Sequence, residues 1–195
     1  LRQNGIVPEK SDLNSILFLL TPAEDKAKMH HLVAQIARFE RFIKDDAPLS
    51  SVLPGIYAAH EARYKDYTIV QLCQEMHNLY AQHDVKQLQK EMFRQSHMPA
   101  IAMGPRDANL EFIRGNVELI PLESAQGRIA TEGALPYPPG VLCVVPGEVW
   151  DGAALKYFLA LQDAINQFPG FTPELQGVYL KQEDDGRLRA YGYVL

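Results

Sequence analysis

The residues best equipped for chemistry are few and lie far apart. Glu9 stands in Gly5-Ile6-Val7-Pro8-Glu9-Lys10, where the residue before a proline is pushed toward extended backbone. A carboxylate on such a segment could be aimed at a cationic ligand, or it could be a solvated charge at a strand end. Tyr137 stands in Pro136-Tyr137-Pro138-Pro139-Gly140. Flanking prolines lower the entropy cost of holding one ring in place, which suits either the wall of a site or a plug in a domain seam. Glu148 follows Pro146-Gly147 and reads as a carboxylate favoured by the dipole of the next helix. The only tryptophan, Trp150, reads as a seam or core residue. The six histidines form no His-Glu-x-x-His pattern. Cys73 and His77, four apart, could make half a metal site but read as core and boundary residues of one helical turn. No Gly-x-Gly-x-x-Gly, P-loop or Gly-x-Ser-x-Gly string occurs.

The elements that must position these residues can be placed from pattern. Gly5 to Lys10 reads as a short extended piece. Ser15 to Leu20 is a continuous apolar run closed by Thr21-Pro22, which predicts a strand buried on both faces. Thr21, with Pro22 and Glu24 after it, predicts a helix start. Leu32, Ile36, Phe39 and Ile43 then form one apolar stripe. Ser50 to Gly55 reads as a turn-rich linker, and the domain boundary is placed there. The next helix presents Ile69, Leu72, Cys73, Met76 and Tyr80 inward, and its successor Val85, Leu88 and Met92. Residues 101–128 predict a short helix and a strand. The proline-rich segment cannot be helical, but Val141 to Val145 predicts a buried strand. Gly152 to Phe168 predicts an amphipathic helix with Leu155, Phe158, Leu159 and Ile165 inward. Val178 to Gln182 and Leu188 to Leu195 flank Asp184-Asp185-Gly186, a hairpin signal.

The chain has 195 residues, 47% of them hydrophobic, with 19 Lys and Arg against 24 Asp and Glu. The resulting net charge of −5 argues against a nucleic-acid protein. No apolar run approaches the length of a membrane helix. Two cysteines seventy residues apart need no disulfide and fit a reducing cytoplasm. The opening Leu1-Arg2-Gln3-Asn4-Gly5 carries no initiator Met and no signal peptide, and reads as a fragment with something missing upstream.

Several blocks resemble the C-terminal part of the bacterial ornithine/lysine/arginine decarboxylases, pyridoxal-phosphate enzymes of the aminotransferase fold. They are Gly5 to Lys10, Asp12 to Glu24, Leu53-Pro54-Gly55-Ile56-Tyr57, Gly127-Arg128-Ile129, Pro136 to Val141 with Pro146-Gly147-Glu148, and Phe168-Pro169-Gly170-Phe171 with Gln176-Gly177-Val178-Tyr179. The resemblance covers essentially the whole chain, and the Pro-Tyr-Pro-Pro-Gly block is its most specific part. The wording from Tyr57 to Tyr67 is most similar to the ornithine branch.

The resemblance implies an α+β fold. Residues 1–46 would be the end of the aminotransferase-like small domain and 47–195 the family's C-terminal domain. It implies a parent enzyme that converts L-ornithine to putrescine and carbon dioxide, with lysine or arginine as alternative substrates. Pyridoxal 5'-phosphate would be the cofactor, held on a lysine of a Ser-x-His-Lys motif. The nearest string here, Ser96-His97-Met98, has no such lysine, so the cofactor domain is expected upstream and the chain alone is expected to be inactive. Homodimers and higher oligomers of the parent are implied, with no nucleic-acid or membrane partner. Two substrate-binding residues carry over: Glu9, which would receive the distal ammonium, and Tyr137, on the substrate side of the pocket. Some relatives bind a guanine nucleotide through arginines; Pro48 and Ser51 depart from that pattern. A non-catalytic module that binds the decarboxylase or a polyamine is the competing reading.

Overall fold

Helix α1 (Lys26–Lys44) runs for about five turns and carries the predicted stripe. It starts later than predicted. Its N-cap is Asp25, whose carboxylate accepts from the Lys28 amide at 2.8 Å; the aspartate supplies what Thr21 was expected to supply. The computed structural model describes residues 1–11, 15–23, 25–137 and 140–195, so Glu24 of the predicted cap and the Asp12-Leu13-Asn14 and Pro138-Pro139 parts of the quoted blocks lie outside the described residues. It divides into two compact units, Leu1–His77 and Asn78–Leu195.

In the first unit, β1 (Lys10–Ser11) pairs antiparallel with β2 (Ile16–Leu17), Lys10 opposite Leu17. The long buried strand expected from Ser15 to Leu20 is not formed. Only Ile16 and Leu17 are strand, and both are exposed, as are Leu19 and Leu20. A strand buried on both faces needs layers above and below it, and the described residues of this unit supply none. The expected linker is also structured, as α2 (Leu49–Val52) and α3 (Pro54–Ala59). Pro54 sits in the first turn of α3, where its missing N–H costs nothing. A further turn, α4 (Glu61–Tyr64), leads to α5 (Ile69–Gln82). Thr68 and Gln71 start α5 with a reciprocal capping box: the Thr68 amide donates to Gln71 Oε1 and the Gln71 amide to Thr68 Oγ1. Leu49, Tyr64, Ile69 and Leu72 are the buried side chains here. Cys73, expected inward, is exposed; it sits at the margin of the stripe that continues through Leu79.

The second unit holds α6 (Val85–Glu91), α7 (Pro105–Arg114), β3 (Glu118–Pro121), β4 (Leu135–Tyr137), α8 (Gly152–Gln167), β5 (Glu174–Gln176), β6 (Tyr179–Gln182) and β7 (Leu188–Val194). Strands β3, β7 and β6 form an antiparallel sheet in that order, and β4 pairs with β5. The hairpin falls where its turn signal lies, Gln182 opposite Leu188. Helix α8 buries its broad apolar face, with Leu155, Tyr157, Phe158, Ala160, Leu161 and Ile165 in the core. Trp150 belongs to that core and meets Phe158 edge-on at 5.5 Å.

Sheet and helix are also stitched by polar groups. Pairing of β3 with β7 stops at Pro121 opposite Tyr191. Beyond it, the side-chain amides of α8 take over: Gln162 Oε1 accepts from the Ala190 amide, and Asn166 bonds both backbone groups of Leu188. The strand expected over Val141 to Val145 is a single bridge, Ala134 with Val144, and Val141 and Leu142 are exposed. The strand is instead the proline-containing stretch before it, β4. Among the described residues its only partner strand is β5, so one edge has no need of the amide that Pro136 lacks.

Candidate functional site

Glu9 lies in the first unit, immediately before β1, and is exposed. Its backbone amide donates to the Leu17 carbonyl at 2.9 Å. The residue is therefore tied to β2 through its main chain, with the carboxylate presented outward.

Tyr137 lies in the second unit as the last residue of β4, opposite Glu174. It is 45% exposed. Its ring covers Gly140: a Cβ added there would come within 2.6 Å of Tyr137 Cδ2. Gly140 has a φ of +74° and donates its amide to the Pro136 carbonyl at 2.9 Å. The ring thus packs against Gly140, and only glycine satisfies both the left-handed backbone and the contact. Because the two residues belong to different units, each geometry stands by itself.

Glu148 has a different role from the one its position suggested. Its Oε2 accepts from the Val145 amide at 2.7 Å and staples the Pro146-Gly147 turn, whereas α8 is capped by Asp151. His77 and Cys73 are both exposed on α5. Among the described residues no three His, Cys, Asp or Glu side chains converge as metal ligands.

Three polar clusters escaped the sequence reading, because each joins residues that no short motif links. In the first unit Arg63 donates to Glu75 at 2.8 Å and also to the Tyr67 hydroxyl, which donates to Glu75 at 2.6 Å. The Tyr67 hydrogen bond, with Arg63 behind it, holds Glu75 below the usual carboxylate range against the opposing effect of burial. A shallow cleft of about 430 Å³ adjoins, lined by Lys65, Asp66, Gln71 and Gln74 with Tyr67 and Glu75. In the second unit the Tyr179 hydroxyl contacts both carboxylate oxygens of Glu132, at 3.0 and 2.8 Å. Burial, then that carboxylate, pushes Tyr179 up to about 12. His83 and Asp163 lie 3.2 Å apart in a polar cleft of about 560 Å³ that also takes in Asn166 and Arg187. Neither cleft includes Glu9 or Tyr137. All nine lysines are exposed.

Comparison with known proteins agrees on one family. Residues 86–195 match the Orn/Lys/Arg decarboxylase C-terminal domain. Over all 195 residues the chain is 65% identical to the inducible ornithine decarboxylase of Escherichia coli (strain K12), covering 26% of it. It is 64% identical to the ornithine decarboxylase of Haemophilus influenzae, covering 27% of it. The solved lysine decarboxylase A from Pseudomonas aeruginosa superimposes with a TM-score of 0.89 at 30% identity, over the whole of this chain and 26% of that one. The chain thus spans about a quarter of the length of these relatives.

Proposed function

The chain belongs to the Orn/Lys/Arg decarboxylase family, and from that premise we propose that it is the C-terminal part of an ornithine decarboxylase, which converts L-ornithine to putrescine and carbon dioxide. The carrying observation is the 65% identity to an ornithine decarboxylase over the full chain, against 30% to a lysine decarboxylase of the same fold. In this reading residues 1–46 end the aminotransferase-like small domain and 47–195 form the C-terminal domain, which contains the matched 86–195.

Pyridoxal phosphate would supply the electron sink for the carbanion left by decarboxylation. The residues of this chain do not fit the cofactor. The family's attachment lysine stands in a Ser-x-His-Lys motif, and the nearest string here, Ser96-His97-Met98, offers no lysine. The attachment lysine is therefore assigned to the upstream part of the polypeptide, and the isolated chain to an inactive state. The parent is a homodimer or higher oligomer with no nucleic-acid partner, in keeping with the net charge of −5. A cytoplasmic setting suits two free cysteines, Cys73 and Cys143, and among the described residues no helix is long and apolar enough to cross a membrane.

What this chain contributes is substrate contact. Glu9 meets the distal ammonium of ornithine, and the upstream part of the enzyme desolvates the pair, so that charge complementarity selects a cationic tail. Tyr137, whose ring packs over Gly140, takes the substrate-side position that the family resemblance gives it. The test is Glu9→Gln in the full-length enzyme. The amide fills the space but cannot neutralise the ammonium, so kcat/KM for ornithine should fall by about 30-fold to several thousand-fold, or ~2–5 kcal/mol. An uncharged-tail analogue should lose far less. A value for ornithine within about threefold of wild type returns Glu9 to a solvated strand-end charge.

A further inference from the structure

Strands β4 and β5 have three residues each, and a two-stranded ladder of that length is marginal by itself. Tyr137 stands at one end of it, opposite Glu174. At the other end the chain enters β4 through Glu132-Gly133 and leaves β5 through Gly177-Val178-Tyr179. The two backbones touch at the glycines: a Cβ on Gly177 would lie 2.2 Å from the Gly133 carbonyl oxygen, at a φ of +68°. Just outside that crossing the Tyr179 hydroxyl reaches both oxygens of Glu132. Tyr137 is five positions after Glu132, and its partner Glu174 is five before Tyr179. The side-chain contact therefore continues the register of the ladder.

Both partners are anchored to the main sheet. Thr131, beside Glu132, donates its amide and its hydroxyl to the Tyr193 carbonyl of β7, at 3.2 and 3.0 Å. Tyr179 is the first residue of β6, opposite Tyr191. Its ring meets that of Tyr193 edge-on at 5.4 Å, and Tyr193 meets Phe112 of α7 in the same way at 5.1 Å. Burial and then Glu132 push the Tyr179 hydroxyl up to about 12, so it keeps its proton and stays a donor. A hydrogen bond to a charged carboxylate is the stronger kind. A slip of β4 by one residue against β5 would break it and turn Tyr137 to the opposite face.

We propose that Glu132 and Tyr179 are positioning residues: their hydrogen bond locks the register of β4 on β5, ties that ladder to the main sheet, and so sets where Tyr137 stands. They act through Tyr137 and need not touch substrate. The consequence for catalysis rests on the substrate-side reading of Tyr137; the consequence for the ladder does not.

Hydrogen exchange read by mass spectrometry on the full-length enzyme, with ornithine kinetics on the same variants, tests both. Tyr179→Phe keeps the ring and removes the donor, and Glu132→Ala removes the acceptor. In each, amides of β4 and β5 should exchange at least ~10-fold faster than in wild type, with α8 unchanged. KM for ornithine should rise about 3–10-fold, with kcat held within about twofold. Glu132→Gln still offers an oxygen to Tyr179 and should restore exchange to within about threefold of wild type. Asn166→Asp is the control for a structural loss elsewhere: it should loosen β7 on α8 and leave β4, β5 and KM as they are. Unchanged β4 and β5 exchange in Tyr179→Phe and Glu132→Ala overturns the proposal, whatever the kinetics. So does exchange that rises equally in α8, which marks a general loss of stability, or a Glu132→Gln as labile as Glu132→Ala. Faster exchange confined to the ladder, with KM unchanged, upholds the positioning and removes Tyr137 from the substrate pocket.

Discussion

Asn166 holds Leu188 by both of its backbone groups: its Nδ2 donates to the Leu188 carbonyl at 2.7 Å, and its Oδ1 accepts from the Leu188 amide at 2.8 Å. The side-chain amide of a helix stands in for a missing strand partner, at the point where β3 has already ended. The same Nδ2 also reaches the Gln162 carbonyl at 2.9 Å. Asn166→Asp keeps the shape and removes the donor, so a carboxylate then faces two carbonyl oxygens. The expected loss is about 2–3 kcal/mol, a fall in Tm of roughly 5–10 °C for a chain of this length. Asn166→Ala should cost less. Thermal unfolding followed by circular dichroism decides, and a Tm for Asn166→Asp within about 1 °C of wild type would refute the stitch.

Gly140→Ala should disturb Tyr137 more than it disturbs the fold. The new Cβ would lie 2.6 Å from the ring, at a φ of +74°. The ring is half exposed and can swing away, so the global loss should stay near 1–2 kcal/mol. The full-length enzyme should nevertheless lose efficiency with ornithine, chiefly through KM. Unchanged steady-state parameters would remove Tyr137 from the substrate pocket.

The Arg63–Tyr67–Glu75 cluster predicts a specific acid sensitivity. Glu75 is held below the ordinary carboxylate range, first by the Tyr67 hydroxyl. A carboxylate lowered in the folded state contributes its full stabilisation above its unfolded pKa, and loses it as pH falls through the folded one. Glu75→Gln should therefore cost about 1 kcal/mol at neutral pH, allowing for solvent screening of a part-exposed pair. The gap between variant and wild type should close in the acid range below the usual carboxylate value. A gap that persists unchanged down to about pH 2 would show that the charge is not its cause.

Pyridoxal phosphate added to the isolated chain and reduced with borohydride should modify several exposed lysines at low occupancy. Peptide mass spectrometry reads the distribution. One lysine trapped stoichiometrically would contradict the placement of the attachment residue upstream.

How much of this was legible depended on how local the signal was. The turn at Asp184-Asp185-Gly186, the inward Val85 of α6 with Met92 just after that helix, and the course of α8 are written in neighbouring residues, and the structure has them. Ser15 to Leu20 reads as a buried strand because its composition anticipates neighbours that the described residues do not contain. Cys73 and Val141 were misplaced for a related reason: an apolar run reports that something can be buried, and long-range packing decides which residues are. Asn166 with Leu188, 22 residues apart, and Tyr179 with Glu132, 47 apart, leave no trace in spacing. Glu9 and Tyr137 were singled out by rigid proline surroundings, but their proposed roles came from family resemblance, since both side chains are exposed.

The exposed Val33, Ile36 and Phe39 of α1 also set a timetable for biosynthesis. Ribosomes add roughly 5–20 residues per second, and α1 ends at Lys44 of the 195 residues. About 150 residues therefore remain to be made after α1 is complete, which takes on the order of 10–30 s. If the upstream portion is already folded by then, its apolar surface is waiting when α1 and β2 emerge. Packing of α1 and β2 against it would then come first and the core around Trp150 last. Translation order alone would keep Val33, Ile36 and Phe39 exposed for only a short time.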